Sequence, residues 1–83
     1  MKVRVKYFAS IRESVGLGQE SLETQADTLG ALRDELIVRG TAYAQSLARG
    51  RAVRVALNQV MSEESAMLMD GCEVAFFPPV TGG

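Results

Sequence analysis

The sequence has no histidine, one cysteine and only two prolines among its 83 residues. The lack of histidine removes the commonest general base and the commonest metal ligand. One cysteine cannot form an internal disulfide or supply a zinc or iron–sulfur site of usual spacing. The glycines at 16 and 18 do not lead into the Lys-Ser/Thr pair of a phosphate-binding loop. We therefore do not expect a self-contained active site.

Long apolar runs and a charge imbalance are also missing. No stretch approaches the roughly 20 apolar residues that cross a membrane. The first six residues alternate charged and apolar side chains, unlike a signal peptide. The formal net charge is −1, which gives no electrostatic footprint for nucleic acid or an anionic membrane. The sequence predicts a cytoplasmic protein that binds neither.

What is present suits one small domain. Hydrophobic residues make up 47% of the chain, as in compact globular proteins. A chain of this length forms a single core with little room for a deep cleft besides. Any chemistry is therefore expected to use part of a partner's site.

Periodicity along the chain predicts a small mixed sheet crossed by one main helix. The first and last strands are the strongest, and we expect them to pair in parallel because a helix lies between them. This arrangement is α+β, the β-grasp or ubiquitin-like fold. The predicted elements are a strand over 2–8, a helical turn over 9–15, a strand over 19–25, a helix over 29–39 capped by Thr28 and ended by Gly40, a loose helical connection over 41–49, a strand over 52–57 returning at 60–61 after a turn at 58–59, and a strand over 72–77 after an Asp70-Gly71 turn.

Several polar side chains invite a chemical role, and each has a simpler interpretation that we prefer. Cys72 could be a nucleophile or a sulfur relay, but strand alternation places it with Val74 and Phe76 as an apolar residue. Glu63 and Glu64 could act as acid and base, although solvated surface charge is the simpler interpretation. A minor basic cluster near a loop is interpreted as a solvated rim: Arg49, Arg51 and Arg54.

The C-terminal segment carries the strongest functional signal. The last strand runs into Pro78-Pro79, which stiffen the exit from the domain. Gly82 and Gly83 lack a Cβ, so an extended tail could thread a narrow channel. We predict a single domain over 1–83 whose residues 78–83 form a flexible tail, with the Gly83 carboxylate as the reactive group. The alternative is an incidentally frayed terminus.

The same segment, EVAFFPPVTGG over residues 73–83, resembles the C-terminal signature of the small subunit of molybdopterin synthase. Residues 5–13 and 55–59 and the Asp70-Gly71 turn are similar to the same family, so the resemblance spans nearly the whole chain. Two departures are mild. Cys72 stands where an acidic residue is common, and Met61 replaces a more usual aliphatic residue.

The resemblance implies a sulfur-carrier cycle in molybdenum cofactor biosynthesis. An ATP-dependent activating enzyme would adenylate Gly83, and a sulfur donor would convert it to a thiocarboxylate. The tail, with Gly82 beside the reactive group, would enter the large synthase subunit and give sulfur to cyclic pyranopterin monophosphate. The chain would be the sulfur-donating subunit of a heterotetramer and would not be catalytic alone. It would hold no metal and no permanent cofactor, and the ATP would be used by the activating enzyme.

Alternatives share the Gly-Gly end. They are a related sulfur carrier for thiamin or tRNA thiolation, a ubiquitin-like protein modifier, and a non-catalytic β-grasp binding module with an incidental tail. Isopeptide conjugates would support a modifier, whereas sulfur transfer to the pterin precursor would support the synthase subunit.

Strand alternation also predicts a docking surface. If Phe76 faces the core, Phe77 faces outward, and Phe8 does so opposite Tyr7. Exposed apolar patches on small proteins mark binding sites. The residues expected to bind partners, including Arg12 at the rim, are Phe8, Arg12, Met61, Phe77, Pro78, Pro79, Val80 and Thr81.

Overall fold

The computed structural model describes residues 1–79 of the chain. Within this range the chain forms a five-stranded sheet and three helices. In chain order they are β1 (Lys2–Tyr7), α1 (Ala9–Val15), β2 (Gln19–Glu23), α2 (Leu29–Ile37), α3 (Thr41–Leu47), β3 (Arg54–Leu57), β4 (Val60–Ser62) and β5 (Glu73–Phe77).

The strands lie in the order β2-β1-β5-β3-β4, so β5 is central. β1 and β5 are parallel, with Val5 opposite Val74, as the sequence predicts. The other neighbours are antiparallel. This is a mixed sheet of the predicted α+β, β-grasp type.

The core lies between one face of the sheet and the helices. Val3, Val5 and Tyr7 alternate inward along β1, each at most 1% exposed. Three leucines of α2 meet them, and their spacing of three and four residues puts them on one helix face. Those leucines are Leu29, Leu32 and Leu36, all buried in the same cluster.

Both predicted turns are present. Asn58 and Gln59 have φ values of 49° and 69°, which is typical of the tight type I′ turn that joins two antiparallel strands. Gly71 has φ 83°, a conformation glycine adopts without a steric penalty. Together these turns set where β4 and β5 begin.

The end of α2 differs from the prediction. Thr28 Oγ1 caps the helix by accepting a hydrogen bond from the Ala31 N–H at 3.1 Å, as expected. The helix stops at Ile37, and the Arg39 N–H donates to the Leu36 carbonyl at 2.9 Å. Because this tighter bond closes the last turn, no left-handed glycine is needed. Gly40 instead has an extended φ of 173° and is the N-cap residue of α3.

A buried arginine joins α2 to the end of α3 and to the segment that follows it. Arg33 is 4% exposed and donates to the carbonyls of Leu47, Ala48 and Arg51 at 2.8–3.1 Å. It also pairs with Glu64 at 2.8 Å. The expectation that Glu64 is merely solvated is therefore wrong, because its carboxylate closes this network.

Arg49 extends the network at the surface. It pairs with Asp34 at 2.9 Å and with the second oxygen of Glu64, so it is not the solvated rim residue expected. Its hydrogen bond lowers the pKa of Asp34. Burial raises the pKa of Glu64, but the hydrogen bonds from Arg49 and Arg33 outweigh it and the net shift is downward.

Candidate functional site

The central strand carries the chain to the candidate site. β5 ends at Phe77, and Pro78 and Pro79 follow without an N–H to continue the ladder. The neighbouring β1 ends at the same level, where the Phe8 N–H donates to the Phe76 carbonyl at 3.2 Å. The predicted reactive and contact residues beyond this point lie outside the described residues: Val80, Thr81, Gly82 and Gly83.

Two phenylalanines lie beside the end of β5, on the face of the sheet that the helices do not cover. We call this the open face. Phe76 is fully buried, whereas Phe77 is half-buried and Phe8 is 45% exposed. The Phe8 and Phe77 rings meet edge to face, 6.4 Å apart at an interplanar angle of 88°. The side chains therefore lie where strand alternation placed them, and their role in binding stays a prediction.

An apolar hollow of about 520 Å³ opens next to this pair. Its floor is made by Ala56 and Ala75, which are 7% exposed yet do not belong to the core cluster. They are opposite each other on β3 and β5, and their small side chains leave the concavity. Met61, 53% exposed, forms a wall from β4. The structure thus brings Phe8, Met61 and Phe77 together around one hollow.

The hollow is bordered by an ion pair that the sequence alone does not predict. Lys6 Nζ lies 3.3 Å from Glu73 Oε1, and both residues line the hollow with Gln59. Lys6 is on the outward face of β1, directly opposite Ala75. Its position in the alternation was available from sequence, but its partner depended on the register between β1 and β5.

Arg12 lies apart from the hollow. It is on α1 and lines a separate surface depression with Ala9, Glu13, Gly16 and Gly18. Its guanidinium packs so closely over Gly18 that a Cβ there would be 3.3 Å from Nε. None of the residues that line this depression also lines the hollow. The contact of Arg12 with a partner stays a prediction.

The remaining candidates offer no chemistry of their own. Cys72 is 4% exposed and belongs to the core cluster, as its preferred interpretation predicts. Among residues 1–79 there is no group of three or more histidine, cysteine or acidic side chains placed to hold a metal ion. Nor does any helix in that range have the length and apolar character to cross a membrane. The hollow and the adjoining end of β5 are therefore the candidate site, and docking there stays a prediction.

Comparison with known proteins agrees with this geometry. The model of the ThiS family matches residues 5–83, from the middle of β1 to the last glycine. The chain belongs to the ThiS family. Two curated relatives, from Haemophilus influenzae and Escherichia coli, are each 38% identical over 81 residues, covering 98% of this chain and 99% of the relative. Both are named molybdopterin synthase sulfur carrier subunit.

Solved structures resemble this ThiS-family chain along its whole length. SAMP1 from Haloferax volcanii is 25% identical with a TM-score of 0.79, covering 100% of both chains. A chain in a complex of subunits 1 and 2 of the molybdopterin-converting factor from Helicobacter pylori is 27% identical with a TM-score of 0.68, again covering 100% of both. The β-grasp fold of the family is thus the fold of this chain.

Proposed function

We propose that this chain is the sulfur carrier subunit of a molybdopterin synthase and that its reactive group is the Gly83 carboxylate. The observation that carries the proposal is the near full-length similarity to relatives with that name, in a family match that includes both terminal glycines. The described structure supports it, since the central strand ends at Phe77, which lines an apolar hollow, directly before Pro78 and Pro79. In this proposal residues 78–83 are the tail of one domain.

The proposed cycle follows from the weakness of a carboxylate as an electrophile. Its leaving group would be oxide, so an activating enzyme first uses ATP to form the acyl-adenylate and releases pyrophosphate. A sulfur donor then displaces AMP and leaves a thiocarboxylate. The soft, ionised sulfur is the nucleophile delivered to cyclic pyranopterin monophosphate. The chain acts as a sulfurtransferase only together with partners that supply the other groups.

Docking would use the hollow and the base of the tail. The Helicobacter pylori structure is described as a protein–protein complex of subunits 1 and 2, which supports a large synthase subunit as the partner here. We extend the proposal to a heterotetramer in the cytoplasm and to a second partner, the adenylating enzyme. Closure of the large subunit around the tail would keep water from the sulfur.

The decisive experiment is mass analysis of the chain after incubation with ATP, activating enzyme and a sulfur source. We expect one oxygen to be replaced by sulfur at the C-terminal residue. A chain lacking Gly83, and a chain with one residue added after it, are the controls and should remain unmodified while folding normally. An unmodified full-length chain, or isopeptide conjugates to lysines in its place, would contradict the proposal.

A further inference from the structure

Two arginines flank the apolar hollow on the open face of the sheet. Arg4 is two residues before Lys6 on β1, and Arg54 is two residues before Ala56 on β3, so each is the next side chain on the same face as a residue lining the hollow. Both are exposed, and neither forms an ion pair with another side chain within residues 1–79.

Two carboxylates on the same face are already engaged, and a third, Glu63, follows β4 level with Arg54 by the strand register but forms no ion pair with it. Glu73 is directly opposite Arg4 but is held by Lys6 at 3.3 Å. Glu23, at the edge of the sheet, lies 3.7 Å from the N-terminal amine. The hollow is therefore flanked by two arginines that have no ion pair in the described part of the molecule, although the whole chain carries a net charge of −1.

The strand register fixes how these charges are arranged. Arg4 is level with Glu73 at the start of β5, and Arg54 is level with Phe77 at its end. Four residue steps along a strand separate the two levels by about 13 Å. One arginine lies on each side of β5, so the pair spans the hollow diagonally.

From this arrangement we infer that the protein surface docking on the hollow carries two carboxylate groups, one for Arg4 and one for Arg54, around an apolar centre. The inference rests on the proposed function, in which the large synthase subunit is the partner. Apolar burial supplies attraction without direction, whereas the two charge pairs fix the orientation of the carrier and steer its approach. Arginine suits this role because its planar fork binds a carboxylate through two hydrogen bonds.

The test is the association of the full chain with the purified large subunit of the same organism, measured as rate and affinity at low and physiological ionic strength. Arg4→Gln and Arg54→Gln should each weaken binding about fivefold at low salt, mainly by slowing association, and the double variant should lose most of the salt dependence. Arg39→Gln is the matched control, because that exposed arginine stands over Tyr43 on the helical side.

A second experiment distinguishes a failure of this inference from a failure of the proposed function. Exchange of one partner carboxylate for lysine should weaken binding of the wild type and restore binding of Arg4→Glu or Arg54→Glu. If both glutamine variants bind like the wild type while Phe77→Ala binds weakly, the charge inference is overturned and the docking surface stands. If the wild-type chain does not bind the large subunit at all, both are overturned.

Discussion

The helical side of the molecule and the open face of its sheet differ in how far their polar groups are paired within the domain. On the helical side, Arg33 donates hydrogen bonds to three carbonyls and to Glu64. No buried side-chain nitrogen or oxygen in the described part of the chain lacks a hydrogen-bond partner. On the open face, Phe8 and Met61 are exposed and Arg4 has no ion pair there. The difference separates a surface whose polar groups hold the fold from one that leaves apolar and charged side chains exposed.

Two tyrosines show how the polar groups on the helical side are paired with one another. The hydroxyls of Tyr7 and Tyr43 both donate to Glu20 Oε2, at 2.8 and 2.7 Å. Burial and the hydrogen bond to Glu20 raise the pKa of Tyr7 above its usual 10.0. One carboxylate thereby ties β1, β2 and α3 together.

The largest effect should come from breaking the helical side. We expect Arg33→Met to cost about 3–5 kcal/mol in the free energy of unfolding, because the carbonyls that Arg33 satisfies would be left buried and unpaired. Chemical denaturation measures this cost. Arg54→Met, an exposed arginine on the other face, is the control and should change stability little. An equal loss of unfolding free energy in the two variants would contradict the proposed difference between the two surfaces.

On the open face, Phe77→Ala should spare the fold and weaken partner binding. Since Phe77 is half-buried, we expect a loss of about 1 kcal/mol in stability. Affinity for the large subunit should fall by about 2 kcal/mol, roughly 30-fold, as for a central aromatic contact. Val38→Ala removes an apolar residue that is 83% exposed on the helical side, and it should leave calorimetric binding unchanged. Unfolding of Phe77→Ala would place Phe77 in the core and contradict the assignment.

Acid should act on the helical side through Glu64. Its folded pKa is below the usual 4.5, so its stabilising contribution is present above about pH 4.5 and declines as the pH falls through the lowered value. Glu64→Gln should be less stable than the wild type at pH 7, by on the order of 1 kcal/mol for this partly exposed pair. Thermal unfolding from pH 7 to pH 3 should show the gap closing. A stability difference between Glu64→Gln and the wild type that widens in acid would contradict the assigned direction of the pKa shift of Glu64.

The smallest effect is expected where the two surfaces meet. Ala9 follows Phe8 with φ 52°, a left-handed conformation that costs an alanine about 1–2 kcal/mol. Glycine adopts it freely but loses more entropy on folding, so Ala9→Gly should raise stability by about 0.5 kcal/mol. The midpoint of thermal unfolding measures the gain, and Ala42→Gly within α3 is a control that should lower it.

Elements with a strong local signal could be predicted from sequence. The alternation of β1 and the leucine spacing of α2 each follow from one periodicity. The Thr28 cap and the turns at 58–59 and 70–71 depend on local side-chain or backbone chemistry. Strand alternation was also enough to place Phe8 and Phe77 on the open face.

What sequence could not supply depended on contacts between distant segments. The burial of Arg33 requires the carbonyls after α3 to converge on it, and the Lys6–Glu73 pair requires the parallel register. The end of α2 was misjudged because glycine is a common helix terminator, whereas a 3₁₀-type bond closed the helix earlier. The two alanines that floor the hollow gave no signal until β3 was seen beside β5.

The position of β5 has a mechanical consequence. A pull applied at Pro79 is transmitted to the central strand, which is hydrogen-bonded to β1 on one side and β3 on the other. Because the force runs along the strand, these bonds are loaded together in shear instead of opening one after another. A strand at a sheet edge would peel away under such a pull, whereas β5 is held on both sides, so the domain behind it keeps its shape.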